Sequence, residues 1–208
     1  MEKFNFQYVK TNVLIMLIGI SVLLLYTGNK YISSHWGVSF SIFAIATALF
    51  SIINQFLWNK KVCSWMYNVP DFTGRYEGTL KYEFKNENCE LITGTLEHIK
   101  IVKQNGSCVV IHSFTKKADG SLSSASVSKV VSVIKEEDGN YSLVYNYLNE
   151  GDVAAGFPPH YGTEILKLLV EEDKTKHLVG RYYTERMPFS TRGKIDLTFV
   201  NKNLTHEK

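Results

Sequence analysis

The chain holds 208 residues, with 23 Lys and Arg against 20 Asp and Glu and a formal net charge of +3. That size allows one core of ordinary extent plus an appendage, and the near balance of charge excludes a domain coated for long nucleic acid, which needs a broad basic face. Composition conceals two unlike parts: before Lys60 the only charged residues are Glu2, Lys3, Lys10 and Lys30.

Two apolar stretches come first, 11–29 and 37–58, the second preceded by the weakly basic His35. Each is long enough to cross a bilayer core as a helix, which needs about 20 residues. No small-x-small cleavage site follows Tyr26 and a second apolar run begins soon after it, so a retained two-helix transmembrane hairpin over residues 1–59 is expected rather than a cleaved signal peptide. Lys3, Lys10, Lys60 and Lys61 flank the hairpin while its loop holds only Lys30, which places both termini in the cytoplasm. In the second stretch Gly37, Ser41, Ala44, Ala48 and Ser51 recur every three or four residues, a seam of small side chains suited to close helix packing, within one chain or between chains.

A tether of residues 60–72 leads into a different pattern. From Tyr76 to Phe84 apolar and polar residues alternate, as a half-buried strand requires. Turn chemistry then punctuates the chain, with Asn105-Gly106, Asp119-Gly120 and Asp138-Gly139 suited to tight hairpins. The expected strands are 75–84, 91–102, 107–115, 124–134, 141–148, 162–171, 177–186 and 192–200, with a tail at 201–208. Short connections make neighbours antiparallel, and the fold expected for 73–200 is an all-β, eight-stranded antiparallel meander barrel, with a sandwich of the same strands as the alternative.

Strand parity puts every odd-to-even connection at one end of this barrel, away from the point where the chain enters. The long "TKKADGSLS", "NEGDVAAGFPPHY" and "ERMPFSTRG" connections fall there, and the tight acidic "KEEDGN" and "VEEDKTK" turns at the other end. A working site is expected at the mouth formed by the long loops. Alternation turns Tyr182, Thr184 and Arg186 inward, with Thr191 and Arg192 just across the turn. A buried arginine needs a partner, either an internal carboxylate such as Glu164 or Glu185, or an incoming anion. Arg186 and Arg192, with Lys116 or Lys117, are candidate anion ligands; Tyr145, Tyr147 and Tyr182 are candidate stacking surfaces, and Thr184 and Thr191 offer hydroxyls.

Catalysis is not expected. The histidines show no metal-ligand spacing, and neither a nucleophile motif nor a phosphate-cradling glycine loop is present. Cys63, Cys89 and Cys108 are scattered singly and are expected as free thiols, with no cofactor or metal implied.

The hairpin, the short tether, "PDFTGRYEG" opening the strand-rich region and "GRYYTERMPFSTRGKIDLTF" closing it together resemble the CD-NTase-associated protein 15 family, SMODS-associated effectors of bacterial CBASS anti-phage systems with two transmembrane segments and a β-strand-rich domain. The resemblance implies an inner-membrane protein whose barrel binds a cyclic di- or oligonucleotide made by a partner nucleotidyltransferase. It further implies that binding drives self-association of the membrane part, membrane disruption and death or growth arrest of the infected cell. The rival readings are a tethered lipocalin-like barrel that carries a lipid or other apolar molecule, and a structural barrel whose loops bind a protein.

Overall fold

The structure, a computed structural model, describes residues 7–36, 41–151, 158–187 and 189–205. Two compact units divide the chain: Met1–Val69 together with Asn105–Cys108, and Pro70–Gln104 together with Val109–Lys208.

The first unit begins with helix α1, Thr11–Trp36, whose segment Thr11–His35 is long and apolar enough to cross a membrane. Helix α2, Ile42–Ile52, starts at Ser41, whose hydroxyl caps the Ala44 amide at 3.3 Å, and passes into a π-helical turn, Ile53–Leu57. At 1.5 Å per residue this second helical stretch is shorter than the roughly 30 Å of a hydrocarbon core. Of the expected hairpin, one helix of spanning length is therefore present among the described residues. Ala44, Ala48 and Ser51 lie on α2, Ser51 returning its hydroxyl to the Thr47 carbonyl at 2.8 Å, while Gly37 lies outside the described residues. The π turn ends the regular ladder at the adjacent polar pair Asn54 and Gln55. Asn54 is buried there, accepting the Ser107 hydroxyl at 2.7 Å on its side chain and the Gly106 amide at 2.9 Å on its carbonyl. Residues of the tether are held in the same unit, Tyr67 bridging to Val9 and the Asn68 amide donating to the Tyr8 carbonyl at 2.9 Å.

The second unit is a closed barrel of eight antiparallel strands in sequence order: β1 Gly74–Lys85, β2 Leu91–Gln104, β3 Val109–Lys116, β4 Leu122–Lys135, β5 Tyr141–Asn149, β6 His160–Val170, β7 Lys176–Thr184 and β8 Arg192–Asn201. The sandwich is thereby excluded, because β1 pairs with both β2 and β8. Asp-Gly turns close β3–β4 and β4–β5, with Gly120 and Gly139 at φ 81° and 85°, in the left-handed region that glycine enters without steric penalty. Strand seven ends at Thr184 rather than 186, which leaves Arg186 on the connection to β8.

Inside, the barrel is filled in layers. The end where the chain enters is an apolar plug of Phe72, Tyr76, Val102, Val109, Leu168, Leu178 and Leu197, all buried, with the Tyr76 hydroxyl donating to the Phe72 carbonyl at 2.9 Å. Burying this set away from water is the main stabilisation of the unit, at about 1.5 to 3 kcal/mol for each large side chain.

A blind cavity at the mouth of the barrel

Above the apolar plug lies a charged layer. Lys100 of β2, fully buried, reaches across the barrel interior to Glu164 of β6, Nζ to Oε2 2.7 Å, and donates to the Ser113 hydroxyl at 2.8 Å. The Tyr145 hydroxyl donates to the same carboxylate oxygen at 2.5 Å. Glu164 thus gathers Tyr145 from the neighbouring strand β5 and Lys100 from β2 across the barrel. Burial pushes the Lys100 ammonium down, opposed by Glu164, and pushes the Tyr145 phenol well up, reinforced by the Glu164 charge. Each member of the pair supplies the partner that water would have given.

Over this layer opens a cavity of about 800 Å³, within the range that small-molecule sites occupy. His98, Thr115, Ser126 and Glu164 line its depth; Leu80, Leu96, Tyr147 and Tyr182 form the walls; Phe84, Phe189, Met187, Lys117, Thr184, Thr191 and Arg186 ring the mouth. The mouth sits at the end of the odd-to-even connections, where parity placed it. Two walls are spaced by glycine: Tyr147 stands opposite Gly162 and Tyr182 opposite Gly193 in the strand register. A Cβ on Gly162 would come within 2.4 Å of the Tyr147 ring, and one on Gly193 within 2.8 Å of the Tyr182 ring. These rings lie flat along the wall because no side chain stands under them. Their phenols are raised by burial and then by the Glu164 charge, so both hydroxyls are neutral donors.

Arg186 lines the mouth, its guanidinium lowered by partial burial. Thr184 and Thr191 cross-link the β7–β8 connection, hydroxyl to hydroxyl at 2.8 Å, with the Thr191 amide donating to the Thr184 hydroxyl at 2.9 Å. Aromatic rings stack up the adjoining wall, Tyr82 on Phe84 at 6.3 Å and Phe84 near Phe189 at 6.5 Å between centroids.

Of the residues singled out from sequence, the structure brings Arg186, Tyr147, Tyr182, Thr184 and Thr191 together around this cavity. Three others lie elsewhere. Tyr145 is 2 % exposed and committed to the charged layer beneath. Arg192 is on the outer wall, its Nε 2.6 Å from Glu83, in a shallow external groove shared with Lys81, Arg181 and Lys194. Lys116 stands opposite Glu97 in register, on the outward parity, and Lys117 lines the cavity instead. Of the two internal carboxylates considered for Arg186, Glu164 is engaged by Lys100.

Sequence reasoning missed Lys100 and His98. A signal was available: alternation places both on the inward face with Leu96 and Val102, where a cation demands an inward carboxylate.

Among the described residues no cluster of His, Cys, Asp and Glu is arranged to hold a metal, and Cys63, Cys89 and Cys108 form no disulfide. No curated protein matches the chain. Residues 67–198, which include all eight strands but for the last residues of β8, match the family described as "Cap15, cyclic dinucleotide receptor domain". A charge-floored, aromatic-walled barrel and a match over more than half of its length lead to one conclusion: the chain belongs to the Cap15 family of cyclic dinucleotide receptor domains.

Proposed function

We propose that the barrel cavity binds a cyclic dinucleotide and that the protein is a membrane-anchored effector of a CBASS anti-phage system. The observation that carries this reading is the cavity of about 800 Å³ with Arg186 and Lys117 at its mouth and Tyr147, Tyr182, Phe84 and Phe189 around it, in a domain of this family. A cyclic dinucleotide carries two phosphates and two bases. Arg186 and Lys117 neutralise the phosphates through charge-assisted hydrogen bonds, and the rings stack on the bases. An internally neutralised Lys100–Glu164 floor lets an anion approach without meeting a bare carboxylate. The role is binding, not catalysis.

In this reading α1 and the apolar stretch that contains α2 form the two-span hairpin, with both termini in the cytoplasm of the bacterial inner membrane. The ligand comes from a CD-NTase made in the infected cell. Binding favours an assembled state over the single chain, because a ligand with equal affinity for both shifts nothing. Assembly packs the small-residue seam of Ala44, Ala48 and Ser51 between chains and breaks the inner membrane, which kills or arrests the cell.

The test is titration calorimetry of the full chain in lipid nanodiscs against a panel of cyclic di- and trinucleotides, followed by dye leakage from vesicles carrying the protein. Saturable binding with ligand-dependent leakage supports the reading. A chain that ignores every member of the panel yet extracts a lipid from the vesicles overturns it in favour of an apolar-ligand carrier.

A further inference from the structure

His98 is 3 % exposed, lines the cavity wall beside the charged layer, and uses only one of its two ring nitrogens. Nδ1 lies 3.0 Å from the Thr115 hydroxyl on the adjacent strand, whereas Nε2 is shut away from water and has no hydrogen-bond partner among the described residues. A buried polar nitrogen left without a partner carries its full desolvation penalty. Folded proteins keep few such atoms, and those they keep call for a reason. Core packing does not supply one here: an apolar residue of the same size would fill the wall without that cost, and Leu80 and Leu96, the next inward pair toward the mouth, show that apolar residues serve in this wall. Burial, with Lys100 nearby, holds the imidazole well below its usual range, so the ring is neutral and each nitrogen has a single fixed role. Whichever role Nδ1 takes with the Thr115 hydroxyl, Nε2 of the neutral ring takes the other, one directed hydrogen-bonding function beside a cavity otherwise walled by rings and hydroxyls.

We infer that His98 Nε2 is the atom that reads a base edge of the bound cyclic dinucleotide and so sets base specificity, with Thr115 as its positioning residue. This rests on the receptor reading above. Stacking on Tyr147 and Tyr182 tolerates any base, and phosphate contacts at Arg186 are the same for every member of the ligand class. Discrimination therefore needs a directed donor or acceptor at the depth the base reaches, and His98, a residue of the cavity lining, carries one with no hydrogen-bond partner among the described residues.

Two substitutions separate the nitrogens. His98→Asn keeps a polar atom near the Nδ1 position for Thr115 and removes the group at Nε2; His98→Gln keeps a polar atom near the Nε2 position. Calorimetry on the full chain in nanodiscs is run with cyclic di-adenylate, cyclic di-guanylate, cyclic di-uridylate and the mixed adenylate–guanylate ring. The expected result is that His98→Asn loses about tenfold in affinity for the best wild-type ligand and flattens the ranking among the four, while His98→Gln keeps a ranking. Wild-type affinities and ranking in His98→Asn overturn the inference. Should His98→Asn lose its native circular dichroism, the deciding readout is wild-type protein labelled with 15N-histidine. A shift of a neutral imidazole nitrogen on ligand addition supports the role, and unmoved imidazole signals overturn it. If the wild-type chain binds none of the four while folded, the receptor reading falls, and this inference with it; binding that Arg186→Ala weakens and His98→Asn leaves untouched sinks the inference alone.

Discussion

Lys100 and Glu164 meet at 2.7 Å across the inside of the barrel although their strands, β2 and β6, are not neighbours in the sheet. The contact ties opposite walls together at one height and fixes how deep the cavity above it reaches. A buried pair of this kind adds little when intact and is costly when halved, because the surviving charge is left without water or counter-charge.

Removing one partner, by Lys100→Met or Glu164→Gln, is accordingly expected to destabilise the full chain by about 3 to 5 kcal/mol. The double substitution Lys100→Met with Glu164→Leu is expected to recover much of that loss. Denaturant melts of the barrel in detergent give the check, and equal stabilities for the single and double variants would contradict it.

At the mouth, Arg186→Ala is expected to weaken cyclic dinucleotide binding by about 2 kcal/mol, the weight of one charge-assisted hydrogen bond. Arg192→Ala is expected to leave affinity unchanged, since Arg192 is paired with Glu83 on the outer wall. Calorimetry on the two variants side by side distinguishes the mouth from the outer groove.

His98 makes stability fall with acid. Its folded pKa is depressed, so below about 6.5 the unfolded chain binds a proton that the folded chain refuses. Stability contributed by the neutral ring is present above the unfolded pKa and is lost as pH falls toward the folded one, by at most about 1.4 kcal/mol per pH unit. Melting temperatures of wild type and His98→Gln between pH 7 and 5 test this, the variant showing the shallower decline.

Gly162→Ala puts a methyl where the Tyr147 ring lies, with the Tyr183 carbonyl 2.8 Å away on the other side. Overpacking of this kind costs about 1 to 3 kcal/mol. The displaced ring has open space on the cavity side, so ligand affinity is expected to fall along with stability. Unchanged affinity in Gly162→Ala would show that Tyr147 does not define the bound volume.

The barrel was legible in the sequence because each strand announces itself locally. Alternation from Tyr76 to Phe84, the Asp-Gly turns and the short connections need no knowledge of distant residues, and the strand ends fall within about two residues of those expected. Parity located the mouth for the same reason. It misjudged Arg192, whose direction depends on where β8 resumes after an irregular connection, and Lys116, where the inward positions of β3 are Ser113 and Thr115 and continue to Lys117. Tyr145 was assigned the correct face and the wrong depth. Height along the barrel axis is set by the stagger of all eight strands, which no single strand encodes. The second helix departs from the expected span because Ser41 caps it late and Asn54 interrupts it early, both through contacts that hydropathy does not weigh.

The pairing of β1 with β8 sets a timetable for the newly made chain. β1 leaves the ribosome early but receives its second neighbour only when residues 192–201 have been synthesised, roughly 5 to 20 s later at ordinary elongation rates. Until then no enclosed cavity exists for a nucleotide to enter. A truncated or stalled product therefore carries the apolar N-terminal helix without a closed receptor barrel to hold a ligand.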